Sequence, residues 1–129
     1  MTAQIRALLL DPVHRQLRLR GAFLLFAIIV IGGSIPGARA EMGQVASGYV
    51  LHSTAYAVIA FLLVTGMQGL LGGRAVRAVL TVAAMGAVDE FVQSFFPYRH
   101  ADVRDWMVDV TAALVASLLL YLLLPKRKH

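Results

Sequence analysis

The stretch Tyr49–Leu71 reads YVLHSTAYAVIAFLLVTGMQGLL, and no lysine, arginine, aspartate or glutamate interrupts it. As helix it is long enough to cross the roughly 30 Å hydrocarbon core of a bilayer. Strands are excluded, because apolar and polar residues do not alternate and a sheet of four strands could not close in lipid. Working outward, three more apolar segments follow the same reading. They run from about Gly21 to Ile35, Val76 to Phe96 and Trp106 to Leu124, the first being short for a span. Pro36, Pro97 and Pro125 fall at their ends, where a helix stops.

Composition supports this. The chain has 129 residues, enough for one domain, and 59% of them are hydrophobic, beyond the apolar share of a soluble domain. Its charges are segregated, so the net charge of +5 reflects basic flanks rather than a nucleic-acid-binding face. With no cysteine, disulfides, thiolate metal sites and cysteine nucleophiles are all excluded.

The expected architecture is therefore an all-α integral membrane bundle of four transmembrane helices. It divides into a basic segment 1–20, a transmembrane domain 21–124 and a basic tail 125–129. If the four helices alternate, nine of the twelve basic residues fall on one side, leaving Arg39, Arg99 and Arg104 on the other. The positive-inside rule then puts both termini in the cytoplasm of a multi-pass bacterial inner-membrane protein. The segment 1–20 reads as a basic amphipathic piece on the membrane surface or as a tail carrying topogenic arginines. Arg15, Arg18 and Arg20 before a short apolar core, with ARA at Ala38–Ala40, also resemble a signal peptide. The GGSIPG turn separates that site from the apolar core and favours a retained helix.

Five of the seven acidic residues lie between Asp89 and Asp109. The predicted topology brings them to the outer leaflet together with His52. Asp89, Glu90 and Gln93 share a 100° wedge of the third span, continued inward by Val82 and Gly86. Asp102, Asp105 and Asp109 follow an i, i+3, i+7 pattern on the fourth, with Ala112, Ala113 and Ala116 deeper. Tyr49, His52 and Tyr56 do the same on the second. An intramembrane carboxylate costs several kcal/mol unless it pairs or works. The plain reading is an ion-pair network in which Arg99, Arg104 and His52 neutralise the acids and hold the helices.

The run Asp89-Glu90, Gln93, Pro97, Arg99, Ala101-Asp102 and Asp105 resembles the signature of VanZ-like membrane proteins, as do SIPG after the first span and His52 with Tyr56. The likeness spans about residues 20–122. The family is named for an accessory protein that gives bacteria low-level resistance to the glycopeptide teicoplanin, which implies a setting in the cell envelope. This chain departs from the pattern at Gly48 and Tyr49 (commonly Asp-Lys), Tyr98 (commonly Gly), Asp109 (commonly Asn) and Ala112 (commonly Gly).

Four chemistries fit the cluster. It can bind the head group of a membrane lipid or lipid-linked envelope precursor, with Arg99 on a phosphate and Gln93, Asp102, Asp105, Asp109 and Tyr56 on polar groups. Glu90 or Asp89 can act as general acid or base with His52, which leaves enzyme activity open. His52 with the acids could hold a divalent metal, but no compact ligand spacing exists, so neither metal nor cofactor is assigned. The fourth is the structural network. Ser34, Ser47, Ser53, Ser94 and Ser117 lack a nucleophile-elbow setting, and a serine in such a helix usually bonds its own backbone. The lower helix halves offer almost no ionisable path for transport. Trp106 and Tyr98 read as interfacial anchors.

Overall fold

The computed structural model describes residues 3–34, 48–95 and 103–124. These form five α-helices and one short 3-10 turn, with no strand among them: α1 (Ala3–Leu10), the turn Pro12–His14, α2 (Arg15–Ser34), α3 (Gly48–Gly66), α4 (Leu71–Gln93) and α5 (Val103–Leu123). The fold is all-α.

Local chemistry sets the boundaries. Asp11 precedes a proline, which disfavours the helical conformation, and it stops α1 in an extended geometry (φ −71°, ψ 134°). Its Oδ1 accepts from Val13 N at 2.9 Å, and the chain turns directly into α2. The helix thus starts before the apolar stretch and takes in Arg15, Arg18 and Arg20. α3 ends at Gly66, five residues short of the apolar run's end at Leu71. Gly69 adopts φ +111°, a left-handed conformation that glycine takes without penalty, and lets the chain reverse into α4.

Arginines satisfy the carbonyls left over where α3 stops. Arg18 Nη2 donates to Thr65 O at 2.8 Å and Arg74 Nη1 to Val64 O at 3.0 Å. Arg77 Nη2 donates to Gln68 O in the loop that follows. Guanidinium groups suit this place because the exposed carbonyls and the helix dipole are both negative there. Arg18 Nη1 also donates to Leu8 O at 2.8 Å, tying α1 to the same corner.

α3 is the hub, packing on α2, α4 and α5, and α5 also packs along α4. The core holds Ala22 of α2, Tyr56, Ile59, Ala60, Leu63 and Val64 of α3, Ala78, Val82 and Met85 of α4, and Ala113 of α5. Gly66 is where α2 and α3 approach most tightly: a Cβ there would sit 3.1 Å from Arg15 O and 3.1 Å from Leu19 N.

The distribution of polarity is inverted relative to a water-soluble bundle. Phe23, Leu24 and Ile31 of α2, Leu80 and Phe91 of α4, and Leu118 and Leu122 of α5 all face outward. Arg18, Asp89, Gln93 and Asp109 are buried. Among the described residues one helix, α5, is long and apolar enough throughout to cross a membrane, and only 17% of its apolar window is buried. A core helix of a soluble protein would be mostly covered. The four segments expected from the sequence differ in this respect for identifiable reasons. α2 carries three arginines in its first six residues, the apolar part of α3 is the shorter stretch Val50–Gly66, and α4 holds Arg74, Arg77, Asp89 and Glu90.

Candidate functional site

The start of α3, the end of α4 and the start of α5 meet at one end of the bundle, opposite the arginine-capped corner. At their junction His52 Nδ1 lies 3.2 Å from Asp109 Oδ1. The carboxylate is buried (1% of its side chain exposed) and the imidazole nearly so (16%). With Asp109 ionised, its carboxylate accepts from Nδ1–H, which holds the ring in one tautomer and orientation. One helical turn further, Tyr56 stacks on His52 with ring centroids 6.0 Å apart and an interplanar angle of 29°.

Around this pair the polar burial is dense. Tyr56, Asp89, Gln93 and Asp109 are all buried. Tyr56 Oη, both polar atoms of the Gln93 amide, and Asp109 Oδ2 have no hydrogen-bond partner among the described residues. Leaving one such group unsatisfied costs about 1–3 kcal/mol, so native interiors rarely hold several together. Glu90 and Asp105 stand beside them, half-buried.

Gly86 makes the junction of α4 and α5 close enough for this. A Cβ on Gly86 would lie 3.0 Å from Trp106 Cδ1 and 3.4 Å from Asp109 Oδ2. Trp106 Nε1 donates to Ala83 O at 2.9 Å, pinning the indole against α4. Trp106, an interfacial anchor by sequence, therefore also positions Asp109 by locking the first turn of α5. Its signal in the sequence was its spacing of three residues from Asp109, on nearly the same face.

The structure brings together most of the residues the sequence proposed. His52, Tyr56, Asp89, Gln93 and Asp109 converge, with Glu90 and Asp105 at the rim. Arg99 and Asp102 lie outside the described residues, as do Tyr98 and the side chain of Tyr49. Asp109 holds the histidine directly, a role the sequence reading did not assign it. Among the described residues no group of three or more His, Asp or Glu side chains is placed to hold a metal ion. Ser94 donates to Phe91 O at 2.6 Å, within its own helix turn.

Beside the polar cluster, α3 and α5 enclose an open groove of about 780 Å³. It begins at Ser53, next to His52, and runs past Ala57 and Phe61 on one wall and Thr111, Val115 and Leu119 on the other. Eight residues of helix give it a length of roughly 12 Å.

The class defined by this geometry is a small all-helical bundle with an apolar exterior and ionisable side chains buried at one end. A family model described as VanZ/LLP1 matches residues 22–124, and the chain belongs to that family. No curated protein and no solved structure matches it.

Proposed function

We propose that this protein is a four-span cell-envelope membrane protein whose buried polar cluster binds the head of a lipid-linked envelope substrate. The observation that carries the reading is the set of buried polar atoms on Tyr56, Gln93 and Asp109 that have no hydrogen-bond partner among the described residues, around the His52–Asp109 pair. An amide, a phenol and a carboxylate oxygen buried at the same end of the bundle suit hydroxyls, amides or amines of a sugar or peptide head group. The adjoining groove between α3 and α5 is lined almost wholly by apolar surface, which suits a hydrocarbon chain. Outward-facing leucine, isoleucine and phenylalanine on α2, α4 and α5 support four spans, because in water such surfaces would drive association. In this arrangement both termini are cytoplasmic and the site lies in the outer leaflet of the bacterial inner membrane. Arg99 and Asp102 join the binding set on sequence grounds.

The His52–Asp109 geometry also favours a second reading, acid–base chemistry on the bound substrate. A histidine oriented by a buried carboxylate is the arrangement a general base requires. Asp89 and Glu90 are the remaining candidates for the partner acid.

The test is lipid analysis of the protein purified in detergent, by mass spectrometry, for the wild type and Gln93→Leu. Leucine replaces an orphaned amide with an apolar group of similar size. Binding predicts that a defined polar lipid co-purifies with the wild type and is lost from the variant, while the variant is as stable or more stable. Family membership makes teicoplanin susceptibility of the expressing strain the cellular readout. If Gln93→Leu retains the same lipids, or simply melts lower, the cluster is a structural network and the proposal fails.

A further inference from the structure

The opposite end of the bundle holds a second feature, which the lipid-head site does not use. A cavity of about 380 Å³ is lined by Arg6 of α1, Arg15 and Arg18 of α2, Thr65 and Gln68 at the end of α3, and Arg74 of α4. That volume is within the roughly 300–1,000 Å³ range of small-molecule sites. Five separate segments contribute to it, since Leu124 after α5 closes one side.

Its charge is one-sided. Among the described acidic residues only Asp11 is at this end of the bundle, and its Oδ1 caps the turn at Val13. Arg18 is 4% exposed, so its guanidinium has left water. Among the described residues its two hydrogen bonds go to neutral carbonyls, Leu8 O and Thr65 O, and Nε is buried with no partner there. Asp11 supplies a counter-charge to Arg18, and Arg15 and Arg74 act on it as like charges. Helix capping explains why an arginine reaches Thr65, but not why four arginines line one cavity with so little negative charge among the described residues. Burying a cation is costly, and the like charges beside it add to that cost.

We propose that this arginine-lined cavity binds a phosphate group, carried either by an anionic lipid head group or by free phosphate. Several forked guanidinium donors converging on one space match the multiple oxygens of a phosphate better than a single carboxylate. The cavity opens where the apolar exterior of the bundle gives way to its basic end, the level at which lipid head groups meet basic pockets between helices. Arg18 and Arg74 shape the cavity through their carbonyl contacts. Arg6 and Arg15 have no such contact among the described residues and supply charge directly to the ligand.

The experiment is thermal denaturation of the full-length chain in neutral detergent, titrated with short-chain phosphatidic acid, inorganic phosphate, and short-chain diacylglycerol as the phosphate-free control. A phosphate-bearing probe raises the melting temperature saturably and diacylglycerol does not. Tighter binding of phosphatidic acid than of inorganic phosphate identifies a lipid as the source, and the reverse identifies the free anion. Arg15→Gln weakens binding by about tenfold or more, the loss of one charge-assisted contact. Arg20→Gln removes an equal charge from the exposed side of the same helix and changes binding less than about twofold. No saturable stabilisation by either phosphate probe overturns the proposal. So does an equal loss in Arg15→Gln and Arg20→Gln, which would mean diffuse surface attraction.

Discussion

Substituting Gly86 by alanine tests whether the α4–α5 contact builds the polar site. The added Cβ would stand 3.0 Å from Trp106 Cδ1 and 3.5 Å from Trp106 Nε1. The indole cannot retreat freely, because its Nε1 bond of 2.9 Å ends on Ala83 O, one turn away on the same helix that carries the new methyl. Overpacking of this kind costs about 1–3 kcal/mol, and a lost hydrogen bond about 1. Replacing glycine inside a helix returns roughly 1 kcal/mol. The net expectation is a loss of about 1–3 kcal/mol, or a fall in apparent Tm of roughly 4–12 °C. Because Trp106 is the chain's single tryptophan, its fluorescence reports the displacement directly. The emission maximum should move as the ring leaves its site, with Asp109 displaced from His52. A Gly86→Ala protein with unchanged emission and an undiminished melting temperature would refute the contact as described.

Other perturbations separate the remaining claims. Gly66→Ala meets the backbone of α2 at Arg15 and Leu19 rather than a side chain, so it should force the helices apart and cost ~1–3 kcal/mol in detergent melts; an unaltered melt contradicts the close approach. Ser117 is buried on α5 with its hydroxyl unpartnered among the described residues, so Ser117→Ala should stabilise by about 1 kcal/mol. A measurable loss there would reveal a partner for that hydroxyl. The absence of native cysteine makes single-cysteine labelling direct. An impermeant reagent should reach cysteines placed at Gly43 or Tyr98 in intact cells but not at Gly73 or His129, and the opposite pattern inverts the orientation.

Much of the site could be read along single helices. The 100° periodicity that put Val82, Gly86, Asp89 and Gln93 on one face of α4 matches the side chains that are buried there. His52 and Tyr56 followed from the same rule on α3. What periodicity does not encode is which residue of one helix meets which residue of another. His52 and Asp109 are 57 positions apart, and their pairing depends on how α5 sits between α3 and α4. The burial of Arg18 was hidden for a different reason. A cation near a predicted span reads as a topology signal, yet Arg18 shares a face with Ala22, Leu25 and Ile29 at helical spacing, and all three belong to or pack on the core. Extending that face backward by one turn would have marked Arg18 as buried. The end of α3 was missed because hydropathy continues to Leu71, while the helix stops where arginines from α2 and α4 claim its last carbonyls.

The pairing of His52 with Asp109 also bears on the order in which the protein is made. Ribosomes deliver α3 and α4 before α5, so the polar faces carrying His52, Tyr56, Asp89 and Gln93 emerge without the helix that covers them. For that interval the nascent chain presents hydrophilic side chains to whatever medium surrounds its apolar helices. Polar faces of this kind on apolar helices are what quality control can recognise in an unfinished chain. Arrival of α5 withdraws the signal by burying Asp109 between its neighbours. Chains truncated before Val103, or with α5 set in the wrong register, should therefore be cleared selectively. Biogenesis and the buried polar cluster share one checkpoint, the docking of the last helix.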